Sequence, residues 1–282
     1  MFFLASETIR LEILNEIWFD ILIHGLTALN DDIFLVCGKS IKDSKVIVYD
    51  RNRAAVQEIV ALSDKHPLAV EACSVSKCIY VLCVDEYLKC ASVLRLTKDG
   101  ERHQFSISLW VSGLRLPLAS TIVSRNGRLS VTHGLDPVII DVYSANGSLT
   151  LSVTVAGFRP IHRVIQKPDG NLVLGTLHGS RGERILTELG ADGKIQRQCK
   201  SSLGMANVNE ADEHGRIVLC KSFAEMELLD SEFNVLEFAG NPKNESWLFN
   251  AVSYNGERNE VMGSYIFVDG KSLLTIFRFT EA

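Results

Sequence analysis

The 282-residue chain contains no run approaching the roughly 18 uncharged apolar residues of a membrane-crossing helix, so no membrane span is expected. No basic residue precedes the four-residue apolar stretch at the N-terminus, MFFLASETIR, and Glu7 follows closely, which speaks against a secretory signal. The seven cysteines include no CxxC pair and no metal-ligand spacing. An odd number of cysteines without an entry signal predicts reduced thiols and a cytoplasmic protein. The sequons at Asn146 and Asn244 then read as chance matches. Basic residues are not in excess: 29 Lys and Arg against 34 Asp and Glu give a net charge of −5, which argues against a broad polyanion-binding surface. GxGxxG, P-loop and GxSxG patterns are all missing, so nucleotide binding and a nucleophile-elbow hydrolase have no motif, and no cofactor is expected.

With 46% hydrophobic and 22% charged residues the composition is that of a globular protein, neither disordered nor collagen-like. Length alone suggests two domains at about 150 residues each. An internal repeat replaces that estimate. Short alternating apolar runs are punctuated by two classes of turn signal. The first class precedes a strongly apolar run: Asp31-Asp32 before IFLVC, Ser76-Lys77 before CIYVLC, Asn126-Gly127 before RLSVT, Asp169-Gly170 before NLVLG, His214-Gly215 before RIVLC, and Arg258-Asn259 before EVMG. Their second residues stand 43 to 50 positions apart. The second class, Arg51-Asn52, Asp99-Gly100, Asn146-Gly147, Asp192-Gly193 and Phe233-Asn234, follows 19 to 23 residues later. Gly and Asn supply the positive φ that such hairpins require. Four short antiparallel strands recurring near every 45 residues make a propeller blade.

Six such units predict an all-β, six-bladed β-propeller of four-stranded antiparallel blades. It is read as a single domain over residues 1–282, with blades near 24–62, 67–108, 117–155, 160–200, 204–239 and 246–282. Small residues recur in the second strand of each unit: Cys37, Cys83, Thr132, Gly175, Cys220 and Gly263. They suit the narrow inner part of a ring of wedges, and the cysteines among them read as buried apolar residues. The sixth unit lacks a fourth strand. The alternating run TIRLEIL, Thr8 to Leu14, predicts a strand that closes the ring beside Leu273 to Phe279, removing a free edge. The i, i+4 isoleucines 9, 13, 17 and 21 support a competing helical reading, and a helical turn over Asn15–Leu22 is compatible with both.

A proline stands just before the inner strand in His66-Pro67-Leu68-Ala69-Val70, Leu116-Pro117-Leu118-Ala119-Ser120 and Arg159-Pro160-Ile161-His162-Arg163. Unit 3, LRLPLASTIVSRNGRLSVTHGLDPVIIDVYSANGSL, and unit 4, GFRPIHRVIQKPDGNLVLGTLHGSRGERILTELGADGKI, resemble NHL repeats. Units 2 and 5 match in part, and units 1 and 6 weakly. The family's Asp and Asn positions after the second strand are not kept in VTHGLDPVI or LGTLHGSRGERI. The resemblance implies a propeller that binds protein or RNA.

Candidate site residues fall into four sets. Arg115, Arg159, His162, Arg163, His178 and Arg181, with His133 and Arg184, lie in units 3 and 4 or their lead-in loops. On one rim they could receive an acidic peptide or a phosphate backbone through charge-assisted hydrogen bonds. Scattered, solvated arginines are the plainer interpretation. Interleaved aromatics are sparse, Phe158 and Trp110, so RNA is the weaker partner. Oxygens of Asn207, Glu210 and Asn250 could hold a hard cation as in metal-dependent lactonases, although Ala69 and Ala119 leave two blades without a ligand. His133, His162 and His178 lack a cysteine at zinc spacing. Trp110, Trp247 and Phe249 plug gaps between blades or, if exposed, anchor a partner. The expected function is a non-catalytic protein-binding platform without a bound metal. A lactonase- or esterase-like hydrolase is the alternative, and RNA binding the weaker one.

Overall fold

The computed structural model describes residues 9–38, 43–62, 65–85, 91–100, 102–107, 121–125, 127–133, 138–155, 159–178, 183–190, 192–200, 206–211, 215–221, 226–239, 249–255, 258–267 and 269–281. They form six four-stranded antiparallel sheets. β1 (Ile9–Phe19) belongs to the last of these. Blade 1 is β2 (Leu22–Leu29), β3 (Asp32–Gly38), β4 (Lys45–Asp50) and β5 (Ala55–Ala61). Blade 2 is β6 (Lys65–Cys73), β7 (Cys78–Asp85), β8 (Ala91–Leu96) and β9 (Arg102–Ile107). Blade 3 is β10 (Thr121–Arg125), β11 (Arg128–His133), β12 (Val138–Ser144) and β13 (Leu149–Val155). Blade 4 is β14 (Arg159–Gln166), β15 (Leu172–His178), β16 (Glu183–Leu189) and β17 (Ile195–Lys200). Blade 5 is β18 (Ala206–Ala211), β19 (Ile217–Lys221), β20 (Met226–Leu229) and β21 (Val235–Ala239). Blade 6 is β22 (Phe249–Asn255), β23 (Glu260–Ile266), β24 (Ser272–Glu281) and then β1. The inner strands β2, β6, β10, β14, β18 and β22 each lie against the next, and β22 returns to β2, closing the ring.

The expected closure is observed, because β1 pairs antiparallel with β24 from Ile9 opposite Glu281 to Phe19 opposite Ser272. The helical turn over Asn15–Leu22 is not. The strand runs on to Phe19 through a register shift between Ile13 and Asn15, where Asn15 Oδ1 accepts the Glu16 N–H at 2.8 Å. The irregularity changes the phase of the alternation. Ile13 packs toward blade 5, whereas Leu14, Ile17 and Phe19 join the seam with blade 1. The isoleucine spacing of four fits a helix face and a strand face alike, and the pairing with β24 decides for the strand.

The core consists of six seams between blades, each with its own apolar cluster. β7 shows how one strand serves two of them. Ile79, Val81 and Cys83 face blade 1, while Cys78, Tyr80, Leu82 and Val84 face blade 3, so CIYVLC is apolar at every position because both sheet faces are covered. Each such aliphatic side chain removed from water contributes about 1.5–3 kcal/mol, an upper bound set by the reference chain. The column of small residues is buried at Cys37, Cys83, Thr132, Gly175 and Gly263. Burial pushes the Cys37 thiol up to about 11, which leaves it protonated at neutral pH.

Positive φ appears at all six turns between first and second strands, at Asn30, Lys77, Gly127, Gly170, Gly215 and Asn259. In blade 1 the expected Asp31-Asp32 turn shifts to Asn30, because Asp32 already pairs within β3. In the second class, Ala54 and Phe233 take the conformation expected of Asn52 and Asn234. At Phe233 a bulky side chain tolerates it because the ring is buried against Ile217 and Leu229. Asp230 Oδ1 fixes the turn by accepting the N–H of Glu232 and of Asn234, both at 2.8 Å.

Candidate interaction site at the loop end of blade 6

Antiparallel blades place both hairpin turns of every unit at one end of the ring, the hairpin end, and the remaining connections at the other, the loop end. On the hairpin end several charged groups tie neighbouring blades together. Glu260 is 0% exposed, and its carboxylate lies 2.5 Å from Arg51 Nη1 of blade 1 and 2.9 Å from Arg278 Nη2 of its own blade. Arg258 pairs with Asp31, and Asn255 Nδ2 donates to the Asn30 carbonyl at 3.1 Å, so the closing seam is tied several times. Lys98 of blade 2 reaches Asp32 at 2.8 Å and Asp50 at 3.5 Å. The buried Lys167 Nζ meets Glu188 at 2.8 Å and donates to the Ser231 carbonyl of blade 5 at 3.3 Å. These contacts fix blade geometry.

The loop end of blade 6 differs. β23 and β24 are joined by a tight turn in which Phe267 N–H donates to the Lys271 carbonyl at 2.9 Å and Gly270 N–H to the Phe267 carbonyl at 3.1 Å. Gly270 has φ +83°, the conformation that favours a residue without Cβ. β1 ends beside this turn, with Trp18 opposite Leu273. Alternation along β1 then sends neighbouring rings to opposite faces. Phe19 is buried edge-on to Tyr49 with centroids 6.4 Å apart, and Trp18 stands 58% exposed. Trp18 stacks at a tilt on the half-buried Phe267, centroids 4.9 Å apart, and Phe267 in turn packs on Tyr265 and Leu273. Trp18, Phe267, Asp269 and Lys271 line an open groove of about 570 Å³. Lys271 Nζ is flanked by Asp269 Oδ2 at 3.6 Å and Asp20 Oδ1 at 4.0 Å. The groove thus offers an aromatic floor and wall with a mixed-charge rim, a surface suited to one inserted apolar or aromatic side chain.

Of the basic residues expected to form a site, Arg115 and Arg181 lie outside the described residues. Arg159, His162 and Arg163 are positions of β14, and His178 is the last residue of β15. The backbone register sets Arg159 opposite Leu177 and His178 opposite Glu183, so both positions stand at the loop end of blade 4. His133 leaves the cluster and the zinc set. It is 2% exposed, with Nε2 2.9 Å from Asp141 Oδ2, and Tyr143 OH donates to the same oxygen at 3.3 Å. Burial first, and then the Asp141 charge, push the Tyr143 phenol far above its ordinary range. Trp110 and Trp247 fall outside the described residues, and Phe249 begins β22. Asn207 and Glu210 are positions of β18 and Asn250 of β22. Among the described residues no group of three His, Cys, Asp or Glu side chains could hold a metal ion. The exposed aromatic pair is one the sequence reasoning missed. A strand of unbroken alternation through Phe19 would have revealed it, but the bulge hid that pattern.

No protein-family model matches the chain, and no curated protein is similar to it in sequence. Solved structures are similar in fold. The β-propeller domain of Myceliophteria thermophila Cps50 (Swd1) superposes with a TM-score of 0.61 at 12% identity, covering 97% of this chain and 90% of that one. A chain of a nidogen/laminin complex gives 0.59 at 12% identity, covering 83% and 85%. A protein of unknown function from Bacteroides caccae gives 0.59 at 14%, covering 83% and 86%. The chain is a six-bladed β-propeller by architecture.

Proposed function

We propose that this protein is a non-catalytic, single-domain platform that binds a protein partner in the cytoplasm, anchored at the Trp18–Phe267 groove. The observation that carries this is the exposed tryptophan stacked on a packed phenylalanine. A large aromatic left 58% in solvent and stacked on a packed ring offers the rigid, low-entropy contact area typical of interface anchors. The stiffness of a closed ring supports it, since little conformational freedom is lost on binding. One of the structures similar in fold adds support by analogy, because it was solved in a nidogen/laminin complex. The NHL-like lead-in segments point the same way. Arg115, Arg159, His162, Arg163, His178 and Arg181 form the proposed second contact region, which receives acidic groups of the same partner.

The test is affinity capture from cell extract with quantitative mass spectrometry. It compares the unaltered chain, Trp18→Ala, and a triple Arg159→Ala, Arg163→Ala, Arg181→Ala chain. Proteins enriched on the unaltered chain should fall at least tenfold on Trp18→Ala and less on the triple variant. Equal enrichment on Trp18→Ala would remove the groove from the account.

A further inference from the structure

The outermost strand of each blade has one edge bonded to its neighbour and one edge open. Soluble proteins protect such edges with charge. Five of the six outer strands do so: β1 carries Arg10, Glu12 and Glu16, β5 Glu58, β9 Arg102, β17 Arg197 and Lys200, and β21 Glu237. β13, LTLSVTV, carries no charged residue. Leu149 and Leu151 are 56% and 43% exposed, and Thr150, Ser152 and Thr154 are exposed as well.

The order of residues in β13 names the occupant of that edge. Read outward from Ser152, the strand is symmetric in residue class. Leu151 matches Val153, Thr150 matches Thr154, and Leu149 matches Val155. β13 slips by one residue on β12 at Thr150, so its regular edge runs from Leu151 to Val155. Two copies set antiparallel about a two-fold axis at Ser152 would place Leu151 opposite Val153 and serine opposite itself, with Thr150 of each copy beside Thr154 of the other. Those are favourable cross-strand pairs, and none sets like charges face to face. β5 is the internal contrast: a two-fold about the centre of AVQEIVA would set Glu58 against its own copy and polar Gln57 opposite aliphatic Ile59. The neighbouring blade supports β13 from one side, because the Gly193 turn seats so closely on Val153 that a Cβ there would lie 2.2 Å from Val153 Cγ1. Ile195, 49% exposed, follows that turn and extends the apolar wall.

We infer that β13 is a self-complementary edge through which two copies of this chain pair into a two-fold dimer, forming one eight-stranded sheet across two blades. A single short strand pair is a small interface, so the dissociation constant is roughly micromolar. Sedimentation equilibrium of the full chain from about ten-fold below to ten-fold above that value tests it. The unaltered chain should pass from monomer to dimer. Ser152→Lys, which opposes two ammonium groups at the axis, should weaken association at least tenfold with its melting temperature unchanged. Ser152→Cys under copper-phenanthroline oxidation should give a disulfide-linked dimer on a non-reducing gel, whereas Thr150→Cys, which faces Thr154 rather than itself, should not. A chain that stays monomeric across the range, a dimer indifferent to Ser152→Lys, or equal cross-linking of both cysteine variants would each overturn the inference.

Discussion

The hairpin end of the ring and the loop end of blade 6 are built from different kinds of residue and put to opposite use. At the hairpin end, Glu260, Lys167 and the Lys98–Asp32 pair are spent on neighbouring blades, and every blade seam they touch is tightened. At the loop end of blade 6, Trp18 and Phe267 are packed well enough to be held still, yet their faces are left to water. On the proposed function, the first end sets stability and the second offers recognition. Substitutions at the two ends should separate those quantities.

The largest stability effect should come from Glu260→Ala. It leaves Arg51 and Arg278 facing each other without their shared carboxylate at the seam that closes the ring. Breaking a buried pair of this kind costs about 3 kcal/mol, readable as a lower urea midpoint. Next come the turn glycines. Gly193→Ala combines positive φ with a collision against Val153 and should cost about 2 kcal/mol. Gly170→Ala has the same backbone requirement, φ +92°, but no atom within 4 Å of the new methyl, so about 1 kcal/mol is expected. The difference between the two, measured by chemical denaturation, isolates the seam contact from the backbone term.

A smaller effect depends on pH. Burial opposes ionisation of Asp230, but the Asn234 side chain and backbone, the Glu232 N–H and the Arg197 charge outweigh it, and the carboxyl is held below its usual range. Its contribution is then present above about pH 4 and lost as pH falls through the lowered folded value. Asp230→Asn should be less stable than the unaltered chain at neutral pH and converge with it in acid. Convergence at neutral pH instead would show that the turn does not depend on the charge. Smaller still is Lys98→Ala. Lys98 is half in solvent, so its loss should move the melting temperature by less than about 3 °C, and by nothing measurable in high salt.

The architecture was legible because it is written locally and repeatedly. A blade needs a hairpin of fixed geometry, so Gly127, Gly170 and Gly215 mark the period directly. Closure was legible from TIRLEIL because a strand with one buried face must alternate. The site was less so. The phase change after Ile13 concealed that Ile17, Trp18 and Phe19 continue the strand, and thus that Trp18 points away from the core. His133 was misplaced because a histidine in a polar run reads as a surface residue until Asp141 and Tyr143, eight and ten positions on, are seen to enclose it. Sequence order gives the register of a hairpin, but not which polar side chains it pairs across its buried face.

The most direct test of the division between the two ends is partner capture by Trp18→Ala, normalised to its folded fraction. Removing an exposed ring should change stability by no more than about 0.5 kcal/mol. Loss of captured protein by at least tenfold at that unchanged stability is the predicted result. Undiminished capture by a folded Trp18→Ala chain would contradict it and return the groove to the status of an ordinary surface.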